Sequence, residues 1–173
     1  MRVLVARMIR AARLDAALYE EVEADPASTG QAAAVVVISS LAAGLPVLTT
    51  MGLRGLLLMT LLTLAGWYLW AALAWFIGTR VLPEPQTRSD IGELLRTLGF
   101  SSAPGALRVL GLVPGLAFPV NAAASVWMLA SMVVAVRQAL DYTSTTRAVA
   151  VCVIGFIVQG VIALLIFSPM HAQ

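Results

Sequence analysis

The chain has 173 residues, 60% of them hydrophobic and only 12% charged, where soluble domains carry about 25% charge. Eleven basic residues, all arginine, stand against nine acids, a net +2 that is too small for a nucleic-acid surface. This balance excludes a soluble core and indicates an all-α, polytopic membrane helix bundle.

Residues 1–24 are predicted as a cytoplasmic amphipathic helix. At about 100° per residue, Leu4, Met8, Ala11, Ala12 and Leu18 share one arc and Arg2, Arg7, Arg10 and Arg13 another. That pattern suits a helix lying in the headgroup plane, or one packed on the protein's own cytoplasmic face. The same arginines interrupt every apolar run that could serve as a signal peptide. The acidic stretch LYEEVEADP (18–26) ends at Asp25-Pro26, because a residue before proline avoids the α region. Ser28 or Thr29 can cap the helix that follows. Glu20, Glu21 and Asp25 offer oxygen ligands for a divalent cation, or partners for arginines, or a solvated elbow.

Residues 25–173 read as the transmembrane domain. Uncharged runs, together with the loop charges, place five spans at about 31–52, 55–79, 101–118, 120–138 and 148–167, each near the length a helix needs to cross. In the second span Trp75 lies near the inner interface, whereas Trp67 and Trp70 are expected to pack against helices. The stretch APGALRVLGLVPGLAFP (103–119) decides the topology. If it crosses, all arginines except Arg54 and Arg108 lie on the inner side. If it is re-entrant, Arg137 and Arg147 join Arg54 outside, against the positive-inside rule. Five spans, with the N-terminus cytoplasmic and the C-terminus outside, follow.

Within the third span, Pro104 suits a first helical turn, Gly111 and Gly115 form a GxxxG pair for close packing, and Pro114 bends the helix between them. The segment is expected to be short, irregular and buried. Arg108 lies one turn past Pro104, about 6 Å in, where it either snorkels or meets an acid or an anionic ligand. Arg137 and Asp141 are spaced for a helical ion pair. Together Glu20, Glu21, Glu93, Arg96, Arg108, Arg137 and Asp141 are predicted to form one inner-face charge cluster.

Enzyme signatures are missing. The lone histidine is His171, which leaves no His-based metal site or triad, and there is no P-loop, GxGxxG or GxSxG. The single Cys152 sits in an apolar run and reads as a packing residue.

Three stretches, YEEVEADPASTGQA (19–32), ELLRTLGFSSAPGALRVLGLVP (93–114) and VAVRQALDYTSTTRAVAVCVIGF (134–156), occur in this order between apolar runs. In this they resemble a prokaryotic member of the Ypt-interacting-protein (YIP) domain family, from Tyr19 to Phe167. The resemblance implies a five-helix membrane domain with a cytosolic N-terminus. Eukaryotic relatives are linked to Rab-type GTPases and vesicle traffic through a longer N-terminal region. The arginine-only, alanine-rich composition points to a bacterial inner membrane. The function expected is a non-enzymatic, homo-oligomeric scaffold or adaptor organising membrane partners or lipids through its cytoplasmic charged face. The alternative is a small transporter or channel with a carboxylate-lined ion or metal site at the cytoplasmic helix ends. No cofactor is expected, a divalent cation apart.

Overall fold

The computed structural model describes residues 1–167. His171 and the expected outer C-terminus lie outside them. The regular elements are α1 (Arg2–Ala12), α2 (Ala16–Ala24), α3 (Thr29–Gly44), α4 (Leu48–Phe76), α5 (Ile91–Ser101), α6 (Ala117–Ala139) and α7 (Thr145–Phe167). A 3-10 turn at Leu45–Val47 joins α3 to α4, a π-helical turn at Ile77–Val81 extends α4, and a 3-10 segment at Ala103–Leu112 follows α5.

Local chemistry sets the boundaries. Asp15 caps α2 by accepting from the Ala17 N–H at 3.1 Å, and Asp25 accepts from the Ala27 N–H at 3.0 Å. The first span ends at Gly44 instead of 52. Pro46 supplies no N–H to continue the helix, and Gly52 breaks the start of α4 with a left-handed φ of 62°. An Asp90–Glu93 capping box opens α5: Asp90 Oδ1 accepts from the Glu93 N–H at 2.8 Å, and Glu93 Oε2 from the Asp90 N–H at 2.9 Å.

The expected span at 101–118 is not one helix. Its first residues finish α5, Pro104 then breaks the α-helical ladder, and the chain winds more tightly through the 3-10 segment. Gly115, with φ of 84°, turns the chain into α6, which begins at Ala117 and not at 120. The stretch 91–112 runs antiparallel to α6. Gly105 faces Met128, Arg108 faces Ser125, and Gly111 backs onto Ala117 and Asn121. Among the described residues, four helices are long and apolar enough to cross a membrane: Pro26–Gly44, Thr50–Val81, Ala117–Ala139 and Thr145–Ile162. They carry large exposed apolar side chains, such as Leu61 on α4, Val126 on α6 and Ile157 on α7, which face lipid.

At the centre lies α5, buried continuously from Leu94 to Ser101 among α2, α3, α4 and α6. Two glycines permit this. A Cβ at Gly99 would come 2.6 Å from Ala32 Cβ and 3.0 Å from its carbonyl oxygen, and one at Gly105 would come 3.0 Å from Met128 Sδ. Polar ties hold the same crossing. Ser39 Oγ donates to the Ser102 carbonyl at 2.7 Å, and Trp67 Nε1 to the Leu95 carbonyl at 3.1 Å. Trp75 Nε1 donates to Ser89 at 2.9 Å, while Trp70 packs on Phe156 with ring centroids 4.7 Å apart. Gly111, Pro114 and Gly115 form no helix crossing. Gly111 touches the start of its own hairpin partner, Pro114 is exposed, and a Cβ at Gly115 would meet open space.

Replacing Gly99 with alanine is expected to cost about 1–3 kcal/mol, because backbone of α3 stands in the way. Gly115→Ala meets only the left-handed backbone penalty, about 1 kcal/mol. Denaturation in detergent measures both, and equal losses would mean that α5 does not depend on close contact at Gly99.

Candidate functional site at the charged end

The charged end of the bundle is built from α1–α2, the loop between Val81 and Asp90, and the turn between α6 and α7. Arg7 and Arg10 converge on Glu21. Arg7 Nη2 lies 2.7 Å from Glu21 Oε1, and Arg10 Nη1 lies 2.6 Å from Oε2. Arg7 Nη1 also donates to Ser28 Oγ at 2.9 Å and Gln31 Oε1 at 3.0 Å, tying α1 to the base of α3. Arg10 Nε reaches Asp15 at 2.7 Å. Arg10, then Arg7, holds the Glu21 carboxyl below its ordinary range, and Arg10 does the same for Asp15. Asp25 is lowered chiefly by the Ser28 hydroxyl, which donates to it at 2.7 Å. Solvent screens such exposed pairs, so their effect is mainly on geometry.

The apolar arc of α1 is turned onto the bundle. Leu4, Met8 and Ala11 pack onto the protein core, Leu18 of α2 is fully buried, and Trp127 Nε1 of α6 donates to the Ala12 carbonyl at 2.7 Å. Of the two readings of this helix, the structure takes the one packed on its own bundle. Arg2 and Arg13 remain exposed.

Arg96 is buried and makes no ion pair among the described residues. Its Nε donates to the Val22 and Glu23 carbonyls at 3.0 Å each, and Nη2 reaches the Glu23 carbonyl as well. These are carbonyls at the C-terminal turn of α2, left without helical partners. Above this contact Glu23 is half-buried. Burial first, then the nearby Glu93, Asp141 and Glu20, pushes its carboxyl up to about 8, with Arg96 opposing. Glu93 itself serves the capping box of α5.

Glu84 escaped the sequence reading. It is buried between two prolines, and its Oε2 accepts from the Thr143 N–H at 3.0 Å, Thr143 Oγ1 at 2.8 Å and Gln86 Nε2 at 2.6 Å. Arg147 Nε stands 3.4 Å from Oε1. The Thr143 N–H is the main cause that holds this carboxyl below its ordinary range. Nearby, the Tyr142 hydroxyl lies 2.8 Å from the Leu82 carbonyl and 3.0 Å from that of Gly78, within donating reach of either. Asp141 is not helical. It ends α6 with a left-handed φ of 53°, and the Tyr142 N–H closes the cap on the Arg137 carbonyl at 2.9 Å. Arg137 Nε donates to the Tyr142 carbonyl at 3.2 Å instead of pairing with Asp141, and Gln138 Nε2 donates to Glu20 at 2.6 Å.

The predicted charge cluster therefore divides. Glu20, Glu21, Glu93, Arg96, Arg137 and Asp141 share the charged end, but Arg108 stands apart. It faces Ser125, about 12 Å from the start of α6 and about 21 Å from its end. The reason is register: the stretch antiparallel to α6 begins at Ile91, so Arg108 lies far along it and not one turn in. Its Nη2 donates to Ser125 Oγ at 3.0 Å, whereas its Nε is buried without a partner among the described residues. No group of three His, Cys, Asp or Glu that could hold a metal occurs among the described residues. Glu20, Glu21 and Asp25 are engaged by Gln138, by Arg7 and Arg10, and by Ser28.

Compared with known families, residues 16–167 match the Yip1 domain. Neither a curated protein nor a solved structure matches the chain.

Arg96→Met removes the donors to the α2 carbonyls and is expected to cost about 3 kcal/mol, read by denaturation in detergent. A loss below about 0.5 kcal/mol would show that the end of α2 does not need the guanidinium. Glu23 makes stability depend on pH. Between the ordinary 4.5 and about 8 the folded state holds a proton that the unfolded state releases. Its contribution is thus full below 4.5 and lost as pH rises through about 8. Glu23→Gln should flatten the melting temperature across that window and raise it above pH 8, and a profile parallel to that of the parent would count against the burial argument.

Proposed function

This chain belongs to the Yip1-domain family, and from that premise we propose a non-enzymatic scaffold that gathers membrane partners or lipids at its charged end. It is a multi-pass, all-helical membrane protein. The observation that carries the proposal is how the charged end is assembled. Arg7 and Arg10 on Glu21, Arg96 on the end of α2, and Glu84 on Thr143 lock three separated chain segments into one surface. Arg13, Arg80 and Arg88 are left exposed there. A surface already ordered loses little conformational freedom when a partner docks. Exposed arginines suit anionic headgroups or an acidic protein segment.

The carboxylate-lined ion site of the transporter reading has less support, since the acids proposed for it are engaged by neighbouring side chains. The same reading puts the charged end in the cytoplasm of a bacterial inner membrane, supported by its arginines and by Arg54 at the opposite end. Self-association belongs to the same proposal.

In a Cys152→Ala background, an impermeant thiol reagent added outside whole cells should label Met51→Cys and spare Thr145→Cys. In the same cells, a photo-crosslinker at Arg88 should give discrete adducts that disappear with Arg80→Glu. A protein that yields no adducts there, but carries ions across proteoliposomes, would overturn the scaffold in favour of transport.

A further inference from the structure

Arg108 leaves a positive charge inside the bundle with one hydroxyl partner and a buried, unmatched Nε. Inside a membrane an unmatched arginine is unfavourable, so its surroundings indicate what should complete it. Two adjoining cavities share Arg108 as a wall. The smaller, about 190 Å³, is lined by Ser39, Ser40, Thr63 and Ser102. The larger, about 650 Å³, runs between α4, α6 and α7 along Trp67, Trp70, Met132 and Phe156. One compartment is rich in hydroxyls and the other is aromatic and apolar, and no acidic residue lines either. The Trp70 Nε1 N–H, on the apolar side, is also buried without a partner among the described residues. Both unmatched groups are donors, so they call for a ligand rich in acceptors.

We propose that these joined cavities form a binding site for an acidic membrane phospholipid. Its phosphate sits by Arg108 and Ser125, and one acyl chain lies along the tryptophans. A guanidinium matches phosphate oxygens through charge-assisted hydrogen bonds, and the Ser125 hydroxyl, which accepts from Arg108, can donate its own proton to the same group. The larger cavity has the volume of an ordinary ligand pocket, which spans roughly 300–1,000 Å³. An ester carbonyl of the lipid would accept from Trp70. The second chain stays in the bilayer between α4 and α7. This site is separate from the charged end and does not rest on the scaffold reading.

The test uses the full-length protein in a non-ionic maltoside, with native mass spectrometry during titration by phosphatidylglycerol, phosphatidylcholine or oleate. The parent should hold one phosphatidylglycerol, at least about tenfold more tightly than phosphatidylcholine, as loss of one charge-assisted contact implies. Arg108→Gln should weaken phosphatidylglycerol about ten- to a hundredfold, and Arg54→Gln should not change it. Trp70→Phe keeps the ring on Phe156 but removes the N–H. It should weaken binding a few-fold, and it decides the matter if the Arg108 variant fails to fold. Equal binding of the two phospholipids, or parental affinity in both Arg108→Gln and Trp70→Phe, overturns the site. Binding of oleate alone also overturns the phospholipid assignment, by making the occupant a free carboxylate.

Discussion

Helix α2 ends inside the protein, and its last carbonyls would be buried without donors if Arg96 did not reach them from α5. That one guanidinium joins the most buried helix to the segment before the first long apolar helix. The order of dependence follows from it. With the end of α2 held, Asp25 and Ser28 can close the turn into α3, and Glu21 is presented to Arg7 and Arg10. The arginines of α1 then reach acids, while Leu4, Met8 and Ala11 reach the core. Because it makes its hydrogen bonds to carbonyl oxygens, Arg96 compensates the neighbouring acids only in part. Glu23 shows the result, with its carboxyl pushed toward the protonated form by burial and by other acids.

Close helix packing takes over where charge ends. In lipid, helices associate through contact and hydrogen bonding more than through exclusion of water, so small residues and short polar ties matter. Gly99 against Ala32, Gly105 against Ser39, and the indole N–H of Trp67 on Leu95 supply both for α5 and its 3-10 extension. This close fit lets a segment whose α-helical hydrogen bonding is interrupted at Pro104 run beside α6. It also brings Arg108 between hydroxyl-rich and aromatic walls.

Two chemically different regions result. The charged end is largely satisfied by its own side chains, which suits a surface that presents a fixed shape. The region around Arg108 is unsatisfied, which suits a site that takes something in. Family membership is consistent with a membrane protein of this architecture, and the distinction between the two regions comes from their hydrogen bonds.

Composition and hydropathy by themselves determined the membrane class and the helical fold, because long uncharged runs have few alternatives in a bilayer. They located most of α3, α4, α6 and α7, whereas the helix that begins at Ile91 went unread. The gathering of Glu20, Glu21, Arg96 and Arg137 at one end was legible from charge placement. The roles of these residues were not, since a sequence does not say whether an arginine meets a carboxylate or a carbonyl. Glu84 was hidden for the same reason: its donors come from Thr143, far along the chain. The depth of Arg108 and the packing of α1 were decided only by tertiary structure. Both turn on where α5 starts and which face it offers, and a mixed run of apolar and polar residues from 91 to 102 fits either a loop or a buried helix until its neighbours are in place.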